Sequence, residues 1–267
     1  MVGTSITARG TTRPISDAPG AGVRVTDTGT VREVVLDRPS RKNALTVGAY
    51  RALSAALSDA AADDRLHVVV LSSSAGPFSV GNDFGDLLEG SQGAADGEEF
   101  ARSAGTFLRA LAAFPKPLVA AVGGLAAGVG ATILLHCDVV IAATTAAFEF
   151  PATRLGLLPD AGASVLLPAT LGLQRATEWL LFGERIDAQT ALRLGLVNAV
   201  VERHELSSTA LARADSLTRL PQSTVRELKR LLREPMRALI EEAITREIAS
   251  MSASLGSAAG LGRAGGL

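Results

Sequence analysis

Pro117-Leu-Val-Ala-Ala-Val-Gly-Gly-Leu-Ala-Ala-Gly-Val-Gly-Ala-Thr-Ile-Leu-Leu135 runs without a charged side chain, and its reading decides the fold. As one helix it is long enough to span a bilayer, and Gly124-Leu-Ala-Ala-Gly128 has the small-xxx-small spacing of packed membrane helices. Against a span stand Gly123, Gly124, Gly128 and Gly130, and the abrupt Asp138 followed by another β-branched run. The better reading is a buried strand at Leu118–Val122, a glycine loop, and a helix beginning near Gly130.

Short β-branched runs recur on both sides, at Val23–Val25, Val31–Leu36, Val68–Leu71, Val139–Ala142 and Val197–Val201. Between several of them lie segments with apolar residues every three or four positions, Ala49–Ala61 and Phe100–Phe114. Strands alternating with helices predict an α/β fold with largely buried strands. Beyond about residue 204 the strand signals stop. Leu206–Leu220, Ser223–Leu232 and Met236–Met251 read as helices punctuated by Pro221 and Pro235. The domain reading is a disordered lead over 1–21, a core over 22–204 and a helical C-terminal region over 205–267. The last residues, from Ser252, are glycine-rich and expected to fray.

The chain has 267 residues, 47% of them hydrophobic, and a formal net charge of −1. A charge so near zero leaves no electrostatic footprint for nucleic acid or an acidic membrane surface. Cys137 stands alone, which excludes an internal disulfide framework and fits a reducing, cytoplasmic setting. His67, His136 and His204 are too widely spaced to suggest a His/Cys metal centre.

Three segments could carry chemistry. In Phe78-Ser-Val-Gly-Asn-Asp83, glycine before a small polar pair lets a backbone N–H face a ligand; the same text also fits a strand-to-helix connection with Asn82 or Asp83 as N-cap. Gly123–Gly130 opens a helix whose first N–H groups lack intrahelical partners, suited to a phosphate or an oxyanion, or serves only to ease helix–sheet packing. No Gly-Lys-Ser/Thr follows it and there is no G-x-G-x-x-G, so neither nucleotide fingerprint is present. The third segment is Phe148-Glu-Phe-Pro-Ala-Thr-Arg-Leu-Gly-Leu-Leu-Pro-Asp-Ala-Gly162. Asp160 is alone as an acid in an apolar turn, which should raise its pKa and suit it to taking and returning a proton. An ordinary turn role is the competing reading, since Asp is a common turn former. Two backbone donors and one carboxylate would make an oxyanion hole with a neighbouring acid/base.

These segments resemble the crotonase (enoyl-CoA hydratase/isomerase) superfamily, over roughly residues 22–201. Leu36-Asp-Arg-Pro-Ser-Arg-Lys-Asn-Ala-Leu45 is similar to the family's early CoA-contacting loop, and Gly183–Gln189 and Gly195–Val200 extend the match. The resemblance implies a spiral of ββα units with a C-terminal helical region that builds a homotrimer or a dimer of trimers. It also implies an acyl-CoA substrate, with coenzyme A carried as part of that substrate and no separate cofactor. By motif position the oxyanion-hole N–H groups are those of Asn82 and Val129. Arg41, Lys42, Ala44, Gly81, Asp83 and Gly128 fall at CoA-binding positions.

The two glutamates that hydratases of the superfamily use correspond to Thr132 and Ala152, neither of which can shuttle a proton at neutral pH. Asp160, eight residues after Ala152, matches the acid of Δ3,Δ2-enoyl-CoA isomerases and of the phenylacetate-pathway isomerases. Dienoyl-CoA isomerases would need acids at Thr132 and Ala152. The dehalogenases of the family would need a nearby Trp, whereas Trp179 lies downstream. The reading is therefore an enoyl-CoA isomerase with Asp160 as its base. A hydratase of fatty-acid β-oxidation and a non-catalytic acyl-CoA-binding protein are the alternatives. Glu149 is a candidate second acid, unless strand alternation turns it to solvent or an Arg. His136 reads as an interior residue. Two family features are missing: Phe84-Gly-Asp replaces a lysine after the first oxyanion motif, and the C-terminal end lacks an aromatic, basic CoA clamp. The acyl pocket is expected from Phe84–Phe114.

Overall fold

The computed structural model describes residues 13–14, 21–83 and 94–255. The Pro117–Leu135 stretch resolves as strand, glycine turn and helix, with an extra short strand inside the glycine run. β5 (Leu118–Val122) is followed by β6 (Leu125–Ala127), then α3 (Val129–Thr132), a single α-turn continued as 3-10 helix through Ile133–His136. Among the described residues, no helix is long and apolar enough to cross a membrane.

β5 lies inside a seven-stranded sheet. The other strands are β2 (Val23–Thr28), β3 (Val31–Leu36), β4 (Val68–Ser73), β7 (Val139–Ala143) and β10 (Ala199–Val201), with β1 (Arg13–Pro14) at the edge, in the order β1-β2-β3-β4-β5-β7-β10. The pairings from β3 through β10 are all parallel. Strand β1 falls within the lead expected to be disordered, where Arg13 and Pro14 pair with Asp27 and Thr26. The rest of that lead, residues 84–93 of the expected acyl pocket, and the glycine-rich end from 256 lie outside the described residues.

The central parallel strands β5 and β7 are apolar throughout because both their faces are covered. Val69, Leu71, Leu118, Ala120, Val122, Val140 and Ala142 face the main core, which includes α1 (Val47–Ala62) and α2 (Ala94–Ala112). Val68, Val70, Val119, Ala121, Ile141 and Ala143 face Leu206, Ala210 and Ala214. Those last three belong to the helix Leu206–Thr218, so the first part of the expected C-terminal region closes the back of the sheet.

A second, smaller sheet runs across the main one. β6 pairs with β8 (Ala147–Glu149), which pairs with β9 (Ile186–Asp187). Isolated bridges extend it on the other side, Ser79 to Ala126 and Leu45 to Asn82. Each turn of the chain thus adds a strand to the main sheet and a short segment to the second layer before entering a helix. This is the crotonase-like α/β spiral of ββα units with a C-terminal helical region, as expected.

Four further helices follow: α4 (Ala163–Leu171), α5 (Leu173–Phe182), α6 (Ala188–Arg193) and α7, the Leu206–Thr218 helix already placed. The two helices expected on either side of Pro235 are one continuous helix, α8 (Gln222–Leu255). Proline removes one N–H and clashes with the carbonyl four residues earlier. Here Pro235 and Leu231 are both exposed, so water can take the freed carbonyl. On the opposite face, Lys229 Nζ donates to Asp138 Oδ2 (2.7 Å) and to the Lys116 carbonyl (2.7 Å), and Arg233 donates to the Leu135 and His136 carbonyls (3.2 Å each). Those contacts fasten α8 across the end of the Val129–His136 helix, where cations favour the dipole.

Candidate functional site

The second layer brings the two glycine-bearing segments together. A β-carbon on Gly130 would lie 2.4 Å from the Ser79 carbonyl oxygen, closer than any side chain tolerates, so glycine permits this approach. Ser79 N–H donates to Leu125 O (3.2 Å) and Ser79 O accepts from Ala127 N–H (2.9 Å). On the other side, Ser79 Oγ donates to Asn43 O (2.8 Å) and accepts from Gly81 N–H (3.2 Å). The packing and the ligand readings of the glycine run are therefore compatible, because the packing contact itself apposes the two segments.

The Leu36–Leu45 loop is sewn to the same place by Asn43. Its Oδ1 accepts from Arg38 N–H (2.8 Å), and its Nδ2 donates to Pro77 O (2.8 Å) and Ala75 O (3.2 Å). Lys42 and Asn43 both adopt left-handed backbone, with φ of 52° and 56°, a turn that buries Asn43 and leaves Arg41 and Lys42 exposed. Ala44, Gly81 and Asp83 are buried beside it, and Gly128 is partly so. The Asp83 carboxylate is engaged by the Arg38 guanidinium.

Asn82 and Val129 stand at neighbouring edges of this assembly: a β-carbon on Gly81 would lie 3.5 Å from Val129 N. Asn82 bridges to Leu45 through the flanking Gly81 O and Asp83 N–H, which leaves its own N–H on the far side. Val129 opens a helix, and its N–H has no intrahelical partner. Among the described residues, neither N–H has a protein acceptor.

Asp160 is brought to these donors by its turn. It is 7% exposed, and its Oδ1 accepts from Thr132 Oγ1 at 2.5 Å, one turn along the helix that Val129 opens. The Asn82 side-chain amide also faces the carboxylate, while Asn82 Oδ1 accepts from the buried Tyr50 hydroxyl. Burial pushes the Asp160 carboxyl up to about 7, against the lowering effect of Thr132, and the nearby Glu247 carboxylate raises it further. The sequence reading of a raised pKa in an apolar turn agrees with this. The side chain is turned towards Thr132, and within the local turn the Asp160 carbonyl accepts from Ala163 N–H (3.0 Å).

Behind the carboxylate, Ala161 and Gly162 are both left-handed, with φ of 60° and 71°. For alanine that conformation is unfavourable and needs external support. His136 supplies part of it: burial lowers its pKa to about 4, so the neutral ring donates Nε2–H to Ala161 O at 2.7 Å. Glu247 on α8 supplies the rest, accepting from Gly162 N–H (2.7 Å), Ser164 N–H (3.3 Å) and Ser164 Oγ (2.7 Å).

Glu149, the candidate second acid, is partly exposed and 3.9 Å from Arg185 Nε, the solvent-and-arginine orientation that strand alternation allowed. Its backbone carbonyl accepts from Gly128 N–H (3.1 Å). Four contributors escaped the sequence reading: Tyr50, Asn43, Ser79 and Glu247. Glu247 had a signal, because it occupies a core position in the apolar stripe Ile240, Ile244, Met251 of α8.

The model for the family enoyl-CoA hydratase/isomerase matches residues 26–259. A probable enoyl-CoA hydratase of Rhodobacter capsulatus is 37% identical over 74% of this chain and 75% of its own length. Enoyl-CoA delta isomerase 2 of Rattus norvegicus is 34% identical over 84% of this chain, which spans only 58% of that relative. Among solved structures, an enoyl-CoA hydratase/isomerase of Mycobacterium paratuberculosis superposes with a TM-score of 0.86 at 28% identity, covering 94% of this chain and 100% of the other. One from Pseudoalteromonas atlantica T6c does so with 0.83 at 33% identity, covering 91% and 95%. Of eight similar curated relatives, seven carry hydratase or dehydratase names and one an isomerase name. The chain belongs to the enoyl-CoA hydratase/isomerase family, the crotonase superfamily of enzymes that act on acyl-CoA thioesters.

Proposed function

We propose that this protein is an enoyl-CoA isomerase in which Asp160 is the single acid/base. The observation that carries the reading is the buried Asp160 carboxyl, raised to about 7, beside the unpartnered N–H groups of Asn82 and Val129. The thioester oxygen of a 3-enoyl-CoA accepts those two N–H bonds. Asp160 removes a proton from C2, and the electron pair delocalises through the C3–C4 double bond and onto the thioester oxygen as a dienolate. The protonated Asp160 returns that proton at C4, leaving the double bond between C2 and C3. Each oxyanion donor is worth roughly 3 kcal/mol at the transition state, and a carboxyl near neutrality serves in both directions. Arg41, Lys42, Ala44, Gly81, Asp83 and Gly128 are the proposed CoA contacts, with Arg38 holding Asp83 in place. By the same family reading the chain assembles as a homotrimer or a dimer of trimers. The exposed Leu228, Leu232 and Leu239 of α8 are candidate interface side chains, and sedimentation would test this.

A second reading, an enoyl-CoA hydratase, is favoured by the hydratase and dehydratase names of seven of the eight relatives compared. In it Asp160, or Glu149, would activate water. Separate incubations of the protein with 3-enoyl-CoA and 2-enoyl-CoA distinguish the two. Interconversion of the enoyl isomers supports the isomerase, and accumulation of 3-hydroxyacyl-CoA from the 2-enoyl ester supports the hydratase. Binding without turnover of either ester would leave a non-catalytic acyl-CoA-binding protein.

A further inference from the structure

We propose that Glu247 is a positioning residue for the reaction, holding from the C-terminal helix the turn that presents Asp160. The proposal rests on the reading of Asp160 as the base.

Helix α4 begins three residues after Asp160 and lacks a side-chain cap of its own, because its N-cap is Gly162 in left-handed backbone. Helices ordinarily satisfy their first N–H groups with a local Ser, Thr, Asp or Asn. Here Glu247 does it from 85 residues away, taking Gly162 N–H, Ser164 N–H and Ser164 Oγ on its two carboxylate oxygens. It is 5% exposed and sits where the apolar stripe of α8 calls for a hydrophobic side chain. Among the described residues it has no Lys or Arg partner, so three hydrogen bonds alone offset the cost of burying its charge. Position 162 cannot hold a capping residue of its own, because its φ is 71° and a β-carbon there would lie 3.2 Å from Ile240, so the cap has to come from elsewhere. What a cap from α8 adds is a fixed position for the two left-handed residues, Ala161 and Gly162, that set the direction of the Asp160 side chain.

The groups facing Asp160 come from every neighbouring element. Thr132 and the Asn82 amide touch or face it, the Tyr50 phenol lies beyond Asn82, and the neutral His136 grips the adjacent carbonyl. Glu247 is the like charge on the other side of the turn, and it raises the Asp160 carboxyl. Removing its charge should therefore lower the pH at which Asp160 becomes a base, while loosening the turn should slow turnover.

The experiment measures kcat, KM and the pH dependence of kcat/KM for isomerisation of a 3-enoyl-CoA by Glu247→Gln, Glu247→Ala and Ser164→Ala, with Asp160→Asn alongside. For Glu247→Ala the expected result is a kcat lowered roughly 10- to 100-fold with KM within about twofold, as a misplaced base predicts. For Glu247→Gln, which keeps the shape and one of the two acceptor oxygens, kcat falls less than in Glu247→Ala and the acid limb moves down by about half a pH unit. Ser164→Ala, which deletes one bond without touching the charge, lowers kcat slightly and leaves the limb in place. If Glu247→Ala does not fold, Glu247→Gln carries the test through its pH profile. Wild-type kcat and an unmoved acid limb in folded Glu247→Gln would overturn the proposal while Asp160→Asn stays inactive. An active Asp160→Asn would instead overturn the reading on which it rests.

Discussion

Thr132 Oγ1 donates to Asp160 Oδ1 over 2.5 Å, joining a helix whose first residue is the expected oxyanion donor Val129 to a turn 28 residues later. Thr132 stands where hydratases of the family carry a glutamate. Its hydroxyl cannot exchange a proton with substrate at neutral pH, but it can orient a carboxylate that does, and it lowers the Asp160 pKa against the effect of burial.

Replacing Thr132 by Val keeps shape and removes that donor. The Asp160 carboxyl should then titrate above its present value of about 7, so the acid limb of kcat/KM moves to higher pH, opposite to the shift expected for Glu247→Gln. A loss of roughly 10-fold in kcat at pH 7 is expected, narrowing as the pH rises. Isomerase pH–rate profiles check it; an unmoved limb would show that the hydrogen bond does not govern the base.

Asp160→Asn should stabilise the protein at alkaline pH. The folded pKa lies above the unfolded value, so the native state holds a proton that the unfolded chain releases between about pH 4 and pH 7. The contribution of the protonated form is complete below the unfolded pKa and is lost as pH rises through the folded one. The variant, which never charges, should gain on the wild type across that interval and level off above it, by roughly 2 to 4 kcal/mol. Thermal melts of both proteins at pH 5, 6.5 and 8.5 measure this. A difference that is constant with pH would mean that Asp160 is not a buried titrating group.

Gly130→Ala tests the apposition of the two segments. Its β-carbon would meet the Ser79 carbonyl at 2.4 Å, and backbone rather than a side-chain tip must move. A cost of about 2 kcal/mol in stability is expected. Turnover should fall at least about 10-fold, because the Asn82 and Val129 N–H groups separate. Denaturation and steady-state kinetics check the two effects; wild-type values for both would contradict the close approach.

The spiral was legible because β-branched and apolar runs recur between helical patterns, wholly apolar in the central strands, and Leu118–Val122 is found with its expected bounds. Asp160 was legible for a related reason: a lone acid in apolar text has few ways to be satisfied. The second layer was less so. Leu125–Ala127 is too short and too near glycine to show a period, and the Leu45–Asn82 and Ser79–Ala126 bridges are single contacts between distant segments. Proline misled the reading of α8, where exposure at Pro235 lets the helix continue. The supports of Asp160 were hidden because they come from residues 50, 136 and 247, and local pattern carries no information on which distant side chains meet.

The central claim is that Asp160 moves the proton, and its most direct test is isomerisation of a 3-enoyl-CoA by Asp160→Asn beside the wild type, with binding of the CoA ester measured on both. The account predicts that the wild type forms the 2-enoyl ester, and that the variant binds with an affinity within a few-fold of it while turnover falls by at least about 1,000-fold. Full isomerase activity in an Asp160→Asn protein that binds the ester would contradict it.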